Sequence, residues 1–170
     1  MHRILICSLV IAAAGCSSPP PVASPPPSAT PDQAAVQAWV DQVCAADKPI
    51  LVVSAVVATA PKFAQGQQPT EADRPAVVAS LTKLRDMYTE SKTAYDAIGP
   101  SPVPRGDELV AGRRKGLGEL VPKLQDYLDK AQKFPAQSID APLTLAGLDA
   151  MTWKPEGPRL AELQAPQCSS

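Results

Sequence analysis

The sequence predicts an all-α protein: an antiparallel four-helix bundle with proline kinks, in a single domain that follows a leader and a proline-rich linker. Three observations predict it. Apolar residues recur at steps of three and four through separate stretches of the 170-residue chain, the spacing that lines one face of a helix. Short connectors rich in proline and glycine part those stretches, and antiparallel neighbours need only such links. No stretch alternates apolar and polar residues as a half-buried strand does. The expected boundaries are residues 1–15 for the leader, 16–31 for the linker and 32–170 for the helical domain.

The leader opens Met1-His2-Arg3 and then runs from Ile4 to Ala14 without a charge. A membrane-spanning helix needs roughly 20 apolar residues, so this run is too short for a span and has the length and flanks of a signal peptide. Ala13-Ala14-Gly15 leads directly into Cys16, which resembles the lipidation box of bacterial lipoproteins. That box places small residues before a cysteine because the diacylglyceryl group is carried on sulfur. Ala13 stands where the box usually has leucine. Lipidation at Cys16 is the expectation, and an ordinary signal peptide with a chance cysteine is the alternative.

Residues Ser17 to Pro31, SSPPPVASPPPSATP, hold seven prolines in fifteen. Fixed φ and missing donors keep such a stretch out of helix and sheet interiors and favour an extended polyproline-II spacer of up to about 45 Å. Ser17, Ser18, Ser24, Ser28 and Thr30 are O-glycosylation acceptors on composition alone. A plain stalk is the simpler expectation.

From Asp32 a helical period begins: Val36, Trp39, Val43, Ala46, Ile50, Val53, Val57 and Ala60 fall on one face. Pro49 interrupts it, so the helix either kinks there or restarts with proline in a first turn. Ile50 to Ala60 is apolar almost all round and is expected as a helix buried on most sides, with a buried strand or the wall of a lipid-binding groove as alternatives. Thr70-Glu71-Ala72-Asp73 resembles a helix-start box, with Pro75 tolerated in the first turn. Val77, Leu81, Leu84, Tyr88, Ser91, Tyr95 and Ile98 then form the inner face of the clearest amphipathic helix, which Gly99-Pro100 ends.

Asp107 is the expected N-cap of a third helix, whose face is Val110, Leu117, Val121, Leu124, Leu128 and Ala131, with Leu120 and Tyr127 beside it. Gly112, Gly116, Gly118 and Pro122 weaken or bend it, or let a neighbouring helix approach closely. A fourth helix is expected from Asp140-Ala141-Pro142, with Leu145, Leu148 and Thr152 on one side, and a short last piece carries Leu160 and Leu163 inward.

Of four cysteines, Cys7 leaves with the leader and Cys16 is used by the lipid. Cys44 and Cys168 remain in a disulfide-permissive compartment. An intramolecular bridge between them is expected, over two free thiols or an intermolecular bond. The sole histidine, His2, also leaves, and the mature chain carries a net charge near −2. Ser-His-Asp and Cys-His chemistry and any His- or Cys-ligated metal centre are therefore not expected, nor is nucleic-acid binding. No cofactor is implied.

The proline-rich lipoprotein leader, Trp39-x-x-x-x-Cys44, the Gly99-to-Pro104 connector GPSPVP and the terminal Ala165-Pro166-Gln167-Cys168 together resemble small exported proteins of mycobacteria and related actinobacteria. The resemblance implies a disulfide-closed helical domain at the cell envelope. It carries over no activity and no site residue.

Three local features invite a chemical reading. Arg113-Arg114-Lys115 is expected as a solvated face, with contact to anionic headgroups as the sharper alternative. Glu119, Asp126 and Asp129 could be read as paired glycosidase carboxylates, which need a fixed separation across a cleft, but an exposed helix face gives the same spacing and is the expectation. Trp39 and Trp153 are expected in the core rather than stacked on a sugar or lipid. The sequence therefore points to a lipid-anchored, non-enzymatic interaction or assembly module on the extracytoplasmic face of the cell membrane. Its partners would be the membrane and an envelope protein. The alternative is a carrier of lipid or apolar small molecules, with Ile50–Ala60 lining the pocket.

Overall fold

In a computed structural model that describes residues 32–64 and 66–168, every regular element is helical. The leader, the linker and Cys16 lie outside the described residues. Helix α1 spans Gln33–Asp47, a 3₁₀ turn covers Lys48–Val52, and α2 spans Val53–Thr59. Helix α3 is Arg74–Ala97, α4 is Gly106–Lys133 and α5 is Asp140–Thr152; two further 3₁₀ turns lie at Ala136–Ser138 and Leu160–Leu163.

Asp32 caps α1 through its carboxylate, which accepts the Ala34 N–H at 3.0 Å, satisfying one donor the first turn leaves open. Trp39, Val40, Val43 and Ala46 are buried. Pro49 sits in the first turn of the 3₁₀ segment, so the chain restarts there. Gln33–Thr59 is long enough to cross a membrane and holds an 18-residue window of mean hydropathy 1.4. It nevertheless gives its inner face to the core and Cys44 to a disulfide.

The expectation that Ile50–Ala60 is buried on most sides is corrected. Only Val53 and Val56 are buried, while Leu51 is 74% and Val52 54% exposed. An apolar run without a polar face says nothing about which side meets solvent, and a helix as short as α2 covers one side only.

Helix α3 starts at Arg74, four residues beyond Thr70, so the box forms the turn ahead of the helix rather than its first turn. The Thr70 N–H and hydroxyl both donate to Asp73 Oδ2, at 2.8 and 2.7 Å, which orders the turn that leads into Arg74. The predicted inner face is buried, with Met87 added to it. Helix α4 begins one residue before the predicted cap. Arg105 adopts a left-handed conformation, φ 62°, and the Asp107 carboxylate accepts the Ser101 N–H at 2.8 Å instead of capping the helix. The helix continues through Pro122, which lies on its exposed side. Leu109 joins the buried face.

Helices α3 and α4 form an antiparallel hairpin. Arg74 donates to the carbonyls of Ala131 and Phe134, Arg85 to Gln125 at 2.8 Å, and Arg114 to the carbonyls of Tyr95 and Ile98 at 3.0 and 2.7 Å. An arginine in the first half of each helix thus caps the end of the other, meeting carbonyls of its last turn and of its C-cap residue. Tyr95 donates to Asp47 at 2.7 Å and ties the end of α1 to α3. Tyr88 donates to the Ala150 carbonyl at 2.7 Å and Tyr127 to Asp149 at 2.9 Å, placing α5 against both.

Helix α5 also corrects the sequence reading. Leu143, Ala146, Gly147 and Ala150 face inward, whereas Leu145 and Leu148 are exposed. The helix is apolar on every side, so the tyrosine hydrogen bonds and the fit against α4, rather than an apolar stripe, decide its rotation.

Replacing Arg114 with alanine removes a charged donor from the end of α3 and is expected to lower unfolding free energy by about 1–2 kcal/mol. Arg74→Ala shifts stability in the same direction. Lysine at position 114 should not restore it, because a single ammonium cannot reproduce the guanidinium fork. Urea denaturation of the three variants measures this.

Candidate functional site

Of the residues singled out from sequence, Cys44 and Cys168 are joined in a disulfide, with Cα atoms 5.5 Å apart across a separation of 124 residues. Cys16 falls outside the described residues. Asp126 pairs with Lys130 at 2.6 Å and Asp129 accepts from Gln125 at 2.7 Å, so these two carboxylates are held within their own helix. Among the described residues no group of three or more His, Cys, Asp or Glu is placed to hold a metal ion.

The basic cluster is a solvated face only in part: the Lys115 and Arg114 side chains remain 57% and 40% exposed, while Arg113 is withdrawn from solvent. Arg114 caps α3. Lys115 meets both carboxylate oxygens of Glu156 at 2.9 Å. Arg113 is largely buried, lies 5.8 Å from the Trp153 ring centroid and pairs with Asp47 at 3.7 Å, too long for a hydrogen bond. Each cation is engaged within the chain, and the signal for this is tertiary: the partners are backbone carbonyls and residues far away in sequence.

Trp153 packs edge-on against Tyr88, centroids 5.7 Å apart, while Trp39 is a core residue. Burial pushes the Tyr88 hydroxyl up to about 12. Tyr95 is raised further, first by burial and then by the negative charge of Asp47. Both phenols are neutral donors that fix neighbouring elements.

Beyond α5 the chain runs back over α4 as a strap. A Cβ at Gly112 would lie 2.0 Å from the Glu156 carbonyl oxygen, and one at Gly116 3.0 Å from the Trp153 indole nitrogen. The close approach foreseen from these glycines therefore exists, but its partner is the tail and not a helix. Gly157 makes the turn with φ 88°. Leu163 is buried, and Cys168 delivers the strap to α1.

One surface depression has a mainly apolar lining with a single charged residue in each wall. Between α2 and α5 lies a groove of about 520 Å³. Val57, Ala60, Pro61, Lys62 and Phe63 form one side; Asp140, Leu143, Thr144, Gly147, Leu148 and Met151 form the other. The walls approach each other at Gly147, where a Cβ would sit 3.5 Å from Val57 Cγ1, an ordinary contact. The loop that follows α2 meets the segment that leads into α5, residues 68–71 lining one depression with residues 135–137, and Lys62 and Asp140 both line the groove. Lys62 and Asp140 consequently stand at the same end. Neither has an ion-pair partner among the described residues.

The Ile50–Ala60 segment was read from sequence as a possible groove wall. The opposite wall, along α5, carries no sequence signal that marks it as a groove, because the helix shows no contrast between its covered and open sides. Comparison with family models, curated proteins and solved structures gives no match to this chain.

Alanine at Gly112 should displace the strap, at a cost of roughly 1–3 kcal/mol. Alanine at Gly118, where nothing lies within 4 Å of the added carbon, should stabilise by roughly 0.5–1 kcal/mol through helix propensity. Opposite signs in urea unfolding identify the strap as a packed element.

Proposed function

We propose that this chain is a lipid-anchored cell-envelope protein, held by Cys16 on the extracytoplasmic face of the cell membrane. Its proline-rich stalk carries an antiparallel four-helix bundle that serves as a non-enzymatic interaction or assembly module. The observation that carries the interaction reading is the set of unpartnered apolar side chains on α5 and on the turn before α2: Leu51, Val52, Leu145, Leu148 and Met151 are all more than 45% exposed. Large apolar side chains gathered on a few surface elements mark contact sites rather than solvent faces. The anchor rests on the Ala13-Ala14-Gly15-Cys16 box and the stalk.

A second reading, a carrier of lipid or apolar small molecules, is supported by the α2–α5 groove. Its volume falls in the range of small-molecule sites, about 300–1,000 Å³.

The anchor is tested by mass spectrometry of membrane-extracted protein. The expected result is a mature N-terminus at an acylated Cys16, with Cys16→Ala moving the protein out of the membrane fraction. An intact, water-soluble chain that retains Met1 would overturn it.

A further inference from the structure

The carrier reading leaves open what the α2–α5 groove takes; resting on that reading, we propose that it binds one acyl chain of a zwitterionic phospholipid, with the headgroup at Lys62 and Asp140. Three observations argue for this ligand class. The first is size. A groove of about 520 Å³ lies in the lower half of the small-ligand range, about 300–1,000 Å³, which suits a single chain.

The second is the polarity of the walls. No charged residue occurs from Ile50 to Ala60 or from Ala141 to Leu148. Asp149, the next carboxylate along α5, is already occupied by the Tyr127 hydroxyl. A flexible chain lying against Val57, Phe63, Leu143 and Leu148 meets only apolar surface, with Thr144 as the exception along α5. Burial of each methylene there contributes favourably, by about 0.8 kcal/mol when complete.

The third is charge. An apolar groove with one cation at its mouth would favour an anionic amphiphile, and one with a lone carboxylate would favour a cationic one. Here an ammonium and a carboxylate stand at the same end, both uncommitted to protein partners among the described residues. They complement a headgroup that carries a phosphate and an amine together. The phosphate pairs with Lys62 and the amine with Asp140, so the bound lipid brings no net charge to the rim.

The test uses the full chain, bridge intact, in phosphatidylglycerol vesicles, whose anionic headgroup lacks the amine. The probe is a sixteen-carbon lysophosphatidylethanolamine with a photoactivatable diazirine in its chain, and adducts are mapped by peptide mass. Adducts are expected on Val57–Phe63 and Leu143–Met151, competed by unlabelled lysophosphatidylethanolamine and much less by hexadecanol. Gly147→Phe should fill the groove and abolish them, while Gly147→Ala, an ordinary contact, retains them. Lys62→Glu and Asp140→Lys should each weaken labelling roughly fivefold, and the double charge swap should recover it. The single and double swaps lie at the exposed rim and keep the test decisive if Gly147→Phe does not fold. Groove adducts that hexadecanol competes equally, with no effect of either swap, would overturn the headgroup assignment and leave the carrier reading standing. Adducts confined to other surfaces would overturn both.

Discussion

The bond between Cys44 and Cys168 is the constraint on which the arrangement of the remaining elements depends. It joins the last turn of α1 to the end of the strap. Helix α1 is held to α3 by its buried face and by Tyr95 on Asp47. The strap is held to α4 by Gly112, Gly116 and the Lys115–Glu156 pair. Linking them closes the domain around the α3–α4 hairpin. A loop of 124 residues is long enough for the chain-entropy contribution to approach 5 kcal/mol, comparable with the whole net stability of a small domain, about 5–15 kcal/mol.

The hairpin within that closure is sealed differently. Arg74 and Arg114 each give a guanidinium to the carbonyls that end the opposite helix. This satisfies acceptors that water would otherwise have to reach, and it fixes the stagger of the two longest helices. Polar sealing at the ends leaves the interior to Leu81, Leu84, Tyr88, Leu117 and Leu124. Helices α2 and α5, by contrast, are apolar on all sides and covered on one. The same physical fact, a packed hairpin flanked by two thinly covered helices, produces both a stable core and an exposed apolar groove.

The sequence made the helices legible because an amphipathic period of three and four survives wherever one side faces water. That is why α3 could be placed almost to the residue, and why Cys44 and Cys168 could be paired once Cys7 and Cys16 were assigned elsewhere. It failed where the pattern carries no contrast. The exposed sides of α2 and α5 look in sequence like core, since nothing in Ile50–Ala60 or in Leu143–Met151 separates a covered leucine from an open one. It failed also at Asp107: the N-cap position falls to a left-handed Arg105, and the Asp107 carboxylate instead accepts the Ser101 N–H and locks the connector. Arg113, Arg114 and Lys115 form a charge run whose partners are carbonyls, a ring and a carboxylate brought in by tertiary structure. A usable signal existed for Arg74 and Arg114: each lies in the first half of a helix that must pass the end of an antiparallel neighbour.

Reduction is the most direct measurement of the central claim, that the disulfide closes α1 and the strap over an independently sealed hairpin. Amide hydrogen exchange followed with and without reductant reports each element separately. The account predicts that reduction accelerates exchange throughout α1 and leaves the amides of α3 and α4 near Tyr88 and Leu117 as the slowest in the chain. Uniform acceleration of all helices, or no change in α1, would contradict it.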